Sequence, residues 1–99
     1  MGRTTGLCEF ISRNARVKLL RAILPRMTIT EVARSVGCSR MTVYRWLDDS
    51  AYHPSNEATL RILKLARSVA PEVSRTIMRE DVLTFLRCLK TEFPEIARV

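Results

Sequence analysis

Residues 29–48 read Ile-Thr-Glu-Val-Ala-Arg-Ser-Val-Gly-Cys-Ser-Arg-Met-Thr-Val-Tyr-Arg-Trp-Leu-Asp, and no other stretch constrains the fold so tightly. Two runs with helical spacing are joined by almost no chain. Helices connected so closely must cross at a steep angle. Ala33 must then be small, because the second helix passes over it. Gly37 must tolerate the turn, where a left-handed backbone conformation is often required. Val32, Val36, Cys38, Val43 and Trp46 must be apolar to fill the wedge between the helices. The sequence meets every one of these demands.

The ends of both helices are marked as well. Thr28-Ile29-Thr30-Glu31 fits a capping box: the Thr28 hydroxyl takes the Glu31 amide, and the Glu31 carboxylate returns to the Thr28 amide. Ser39 is a good N-cap for the second helix, over Arg40 to Leu47. Upstream, Leu7, Phe10, Ile11, Leu19, Leu20, Ile23 and Leu24 recur at three and four, which predicts a helix over 7–24. Ser12-Arg13-Asn14 is a candidate break within it, with a start near Arg13, and Pro25 ends it. Downstream, 48–54 reads as a polar loop. Ser55 or Asn56 caps a fourth helix with Glu57 in its first turn and Leu60, Leu63, Leu65, Ala66 and Val69 on its apolar face. Pro71 opens a fifth that runs to about Phe93. Strand signals are weak, and there is no repeat or linker. A single all-α domain of five helices over 1–99 is expected.

Composition excludes several classes. The 99 residues are 46% hydrophobic and 27% charged, a globular balance. No apolar run approaches the roughly 18 residues of a membrane span. Met1–Gly6 is followed by no long apolar stretch, so no signal peptide is read and a cytoplasmic location is expected. Cys8, Cys38 and Cys88 lie 30 and 50 residues apart and His53 is the single histidine, which argues against a zinc site. There is no Gly-rich phosphate loop. Asp48-Asp49, the one adjacent carboxylate pair apart from Glu80-Asp81, reads as a solvent-facing helix end. Neither an enzyme nor a cofactor is expected.

Residues 29–48 look like a helix-turn-helix of the DNA-binding type. Pro54-Ser-Asn-Glu-Ala-Thr-Leu60-Arg-Ile-Leu-Lys-Leu-Ala66 is similar to the fourth helix of phage repressor and Cro-like (XRE-like) domains. The resemblance covers about 13–70 and implies a lambda-repressor-like fold extended by a long C-terminal helix. Asp48-Asp49-Ser50 stands where that family often has Glu-Asn-Gly.

With Val43, Trp46 and Leu47 inward, helical geometry turns Arg40, Met41, Tyr44 and Arg45 outward. The resemblance implies that this helix enters the major groove. Arg40 and Arg45 then donate to guanine O6 and N7, while Met41 packs on a thymine methyl. Tyr44 takes a phosphate or a thymine methyl. Ser39 and Thr42 suit capping or phosphate contacts. Thr28 and Thr30 open a helix whose amides suit a phosphate. Tyr52, His53, Ser55 and Asn56 lie where the family meets the DNA backbone, and Arg3 adds charge from an N-terminal arm. The formal charge of +7 is concentrated in the first half: nine basic and four acidic groups in 1–50, against eight and six in 51–99. A basic surface is the footprint of a polyanion binder.

Met78, Val82, Phe85, Leu86, Leu89 and Phe93 form a wide apolar stripe on the fifth helix. Phe85, Leu86, Leu89 and Phe93 are the expected homodimer interface, with a monomeric core as the alternative. The resulting expectation is a sequence-specific double-stranded DNA-binding regulator, repressor-like, homodimeric and nucleoid-associated, with no small-molecule ligand. A DNA-binding subunit of a recombination, transposition or partition system, or an antitoxin-like helical interaction module, stands as the alternative.

Overall fold

A computed structural model describes residues 7–48 and 51–95. Among the described residues five helices are delimited, in order: α1 (Arg13–Ile23), α2 (Ile29–Val36), α3 (Arg40–Asp48), α4 (Asn56–Val69) and α5 (Pro71–Glu92). The described residues contain no strand. None of these helices is long and apolar enough to cross a membrane.

Local sequence accounts for most of the boundaries. Glu31 N–H donates to Thr28 Oγ1 at 3.1 Å, and the Thr28 amide donates to Glu31 Oε1 at 3.0 Å, so the capping box is complete. The Thr28 amide, and with it the Thr28 hydroxyl at 3.0 Å, donates to the Glu31 carboxylate and holds it below its ordinary pKa. Because the folded pKa is depressed, this contribution is present above the ordinary Glu value of about 4.3 and fades as pH falls through the folded value. Thr28→Ala should lower stability by about 1 kcal/mol, read as a fall in melting temperature at neutral pH. Ser55 Oγ accepts from the Ala58 amide at 3.2 Å, so Ser55 is the α4 cap. Pro71 occupies the first turn of α5, where its missing N–H costs nothing.

The start of α1 differs from the broader expectation. The helix begins at Arg13, at the break, and not at Leu7. Ser12 caps it: Ser12 Oγ accepts from the Ala15 amide at 3.1 Å. Asp81 on α5 fixes the cap from outside, since its carboxylate accepts from both the amide and the hydroxyl of Ser12. Leu7 and Cys8 are helical, and Glu9 to Ile11 turn the chain toward the break. This segment buries Cys8 and Ile11 but leaves Leu7 and Phe10 exposed, contrary to the apolar face read for them.

The core is made where α1, α2, α3 and α4 converge. Leu19, Leu20, Ile23, Val32, Val43 and Ile62 are fully buried. At about 1.5–3 kcal/mol per fully buried aliphatic side chain, these outweigh any single cap. The wedge is as expected: Ala33 and Val36 are buried, Trp46 retains 9% exposure, and Cys38 is half-buried against the cluster. Helix α5 packs on α1 and α4 through Ser74, Ile77, Met78 and Asp81. Beyond Asp81 none of its described side chains is buried.

Candidate nucleic-acid interface

Gly37 sets the geometry of the site. It lies at φ +86°, ψ +38°, in the left-handed region, and ends α2. The Ala33 carbonyl accepts both the Gly37 amide (2.8 Å) and the Cys38 amide (2.9 Å), which reverses the chain within two residues. Ser39 then starts α3. Its hydroxyl accepts from the Thr42 amide at 3.1 Å and bonds the Thr42 hydroxyl at 3.0 Å.

Val43 and Trp46 anchor one side of α3 in the core, and Leu47 is half-buried. Arg40, Met41, Tyr44 and Arg45 are exposed, with Met41 at 65% and Tyr44 at 48%. Arg45 is not left to wander: its guanidinium carbon sits 5.4 Å from the centroid of the Tyr52 ring, a cation–π contact. Tyr52 thereby joins the segment after α3 to the exposed face of α3.

The other polar candidates divide into two groups. Thr30, Ser39, Tyr52 and Ser55 are exposed, Thr42 and His53 half-buried. His53 Nδ1–H donates to its neighbour's Pro54 carbonyl at 3.2 Å. Thr28, although exposed, has both its amide and its hydroxyl engaged by Glu31. The Asn56 side-chain carbonyl is turned inward, where Arg16 donates to it at 2.9 Å. Arg3 and Asp49-Ser50 lie outside the described residues.

Several arginines counted as surface charge do structural work that sequence reasoning missed. Arg16 is only 5% exposed. Its Nε donates to the Ile11 carbonyl (2.9 Å), Nη1 to Pro54 (2.7 Å), and Nη2 to both Cys8 and Asn56. One guanidinium thus ties the N-terminal turn to the segment that follows α3. Burial pushes its pKa below the ordinary arginine value, and burial likewise pushes the Cys8 thiol up. Arg21 donates to the Leu47 carbonyl at the end of α3 (3.0 Å), and Arg61 to the Val36 carbonyl at the end of α2 (2.9 Å). Cations suit the negative ends of helices. Each still adds to the basic field; Arg16 is turned inward through all three of its nitrogens, whereas Arg21 and Arg61 each direct one nitrogen at a helix-end carbonyl. Among the described residues no group of three or more His, Cys, Asp or Glu is placed to hold a metal ion.

Residues 10–51 match the family model of the homeodomain-like domain, a stretch that includes all of α1, α2 and α3. No curated protein and no solved structure gives a match. In homeodomains the third helix of three reads the major groove. Residues 10–51 are therefore similar to homeodomain-like helix-turn-helix domains, and α3 is the last of the three helices in the matched stretch.

Proposed function

We propose that this chain is a sequence-specific double-stranded DNA-binding transcription regulator, repressor-like, that acts as a homodimer with α3 in the major groove. One observation carries the reading. Arg40, Met41, Tyr44 and Arg45 are exposed together on one face of a helix whose other face is anchored in the core. Arg40 and Arg45 are assigned to guanine, Met41 to a thymine methyl, and Tyr44 to a thymine methyl or phosphate. The stacking of Arg45 on Tyr52 lowers the conformational freedom it must lose on reaching a base. Thr30, Ser39, Thr42, Tyr52, His53 and Ser55 are assigned to the DNA backbone. Thr28 serves it indirectly, by fixing the first turn of α2. Asn56 serves it by holding the start of α4 through Arg16. The packing of α4 against α1 and α2 supports the phage-repressor-like version of the fold over a bare three-helix unit.

Selection of bound sequences from random duplex DNA tests the reading. An enriched motif with two half-sites is expected, and binding should weaken with salt at a logarithmic slope near −0.9 for each phosphate neutralised. Failure to bind duplex DNA at low salt would overturn it. Arg40→Ala and Arg45→Ala should each lose about 1–3 kcal/mol of discrimination at one base position. Repeating the selection with each variant reads this as a relaxed position in the motif. An unchanged motif from both would remove them from base reading.

The homodimer is assigned to α5. Phe85 (59% exposed), Leu86 (49%) and Phe93 (48%) stand on the surface, with Leu89 half-buried between them. Replacing Phe85 and Leu89 with glutamate should give a folded monomer, because neither belongs to the buried cluster. Sedimentation reads the mass and circular dichroism the fold; a variant that stays dimeric contradicts the assignment.

A further inference from the structure

A homodimer through α5 still has to choose a register and a direction. Pro71, Arg75, Met78, Val82, Leu86, Leu89 and Phe93 succeed one another at three and four, so they form one line along the helix. The two halves of that line are unlike. The first half borders α4 and forms an open groove with it. Leu63, Pro71 and Met78 supply the apolar lining of this groove, and Arg67, Arg75 and Arg79 the basic lining. The second half, beyond Asp81, is an apolar ridge with Glu92 and Glu95 at its end. One half offers a basic, apolar trough and the other an apolar tip that carries Arg87 and Lys90 along with Glu92 and Glu95.

We propose that two copies pair their α5 helices antiparallel about a two-fold axis at Val82, so that each helix tip seats in the α4–α5 groove of the other copy. This rests on the homodimer proposed above and adds its geometry. A two-fold interface must be self-complementary: if one residue meets another, the reverse contact follows. About Val82, residues equally far before and after the axis come opposite one another. Pro71 then faces the partner's Phe93, Arg75 the partner's Leu89, and Met78 the partner's Leu86.

Charge on the two flanks agrees. Helical spacing puts Glu92 on the same side of the line as Ser74 and Asp81, the side turned to the domain. The partner's Glu92 therefore approaches Arg67 on α4. Lys90 falls on the opposite side, in line with Glu72. The partner's Lys90 therefore approaches Glu72. Both pairs are opposite in sign, and each occurs twice by symmetry. A parallel pairing about the same stripe leaves the trough of each copy empty.

The test uses the full chain with Cys88→Ser, which removes the exposed thiol. Two variants are made on it, Arg75→Cys and Leu89→Cys, distinguished by a mass tag. Each is oxidised alone and after mixing under reducing conditions. Antiparallel pairing predicts a disulfide-linked dimer only in the mixture, joining one variant to the other. Cross-linking of each variant with itself would overturn the register in favour of a parallel pair. No cross-link, with wild type dimeric by sedimentation, would overturn the register and leave the homodimer standing. A monomeric wild type would overturn both. A second measurement keeps the full helix surface. Arg67→Glu and Glu92→Arg should each raise the dimer dissociation constant about fivefold, the scale of a favourable exposed ion pair. The double variant should return toward wild type. A double variant as weak as the two single effects combined would overturn the pairing.

Discussion

Arg16→Met is expected to cost about 3–5 kcal/mol of folding stability, the largest loss foreseen for any single substitution in this chain. The guanidinium donates to the Ile11, Pro54 and Cys8 carbonyls and to the Asn56 side chain, in a site with almost no access to water. Methionine fills much of the volume but offers no donor. Each acceptor left dry costs about 1–3 kcal/mol. Part of that is returned, because a charge no longer has to be kept out of water. Against a total stability of about 5–15 kcal/mol for a small domain, the remainder is severe. Urea denaturation reads it as a fall in midpoint. Arg16→Lys should recover little, since one ammonium cannot span acceptors on both sides of the site. A midpoint unchanged from wild type in Arg16→Met would show that these bonds contribute nothing net. Chains that still fold should also bind DNA more weakly, because Pro54 no longer holds the segment bearing Tyr52 and His53.

Gly37→Val is expected to cost about 3–4 kcal/mol. At φ +86° an L residue is strained by about 1–2 kcal/mol. A β-carbon there would also lie 2.9 Å from Arg61 Nη1, the atom that caps the Val36 carbonyl. Arg61 has to withdraw, and a hydrogen bond from a charged donor is worth about 1.5–3 kcal/mol. Gly37→Asn should be milder, since asparagine enters the left-handed region more readily. Adding Arg61→Ala to Gly37→Val isolates the two causes: the clash is relieved and the backbone strain remains. Thermal melts give the comparison. A melting temperature for Gly37→Val equal to that of wild type would mean that the turn does not depend on glycine.

Both positions bear on how the chain encodes its fold. Gly37 is legible in the sequence because its reason is local. The turn, the Thr28–Glu31 box and the Ser39 and Ser55 caps each act over three or four residues, so residue type and spacing suffice to find them. The homeodomain-like match over 10–51 agrees with that local reading. Arg16 is not legible in this way. Its acceptors lie as far as 38 and 40 residues away, and nothing in its neighbours distinguishes it from Arg13 or Arg21. The true start of α1 was half visible: Ser12 marks it, but the carboxylate that secures it belongs to Asp81, 69 residues on.

The same division runs through the candidate interface. The sequence by itself determined the all-α class, the turn, and which side of α3 is apolar, because helical period and backbone chemistry are short-range. Only the tertiary structure decided which cations are committed to helix ends and buried carbonyls, that Tyr52 stacks on Arg45, and that Asn56 turns inward. It alone decided that α5 leaves the domain after Asp81 with its apolar ridge uncovered. Periodicity reports that a helix has an apolar side. What that side meets depends on where the rest of the chain has gone, and here no described side chain of α5 is buried beyond Asp81.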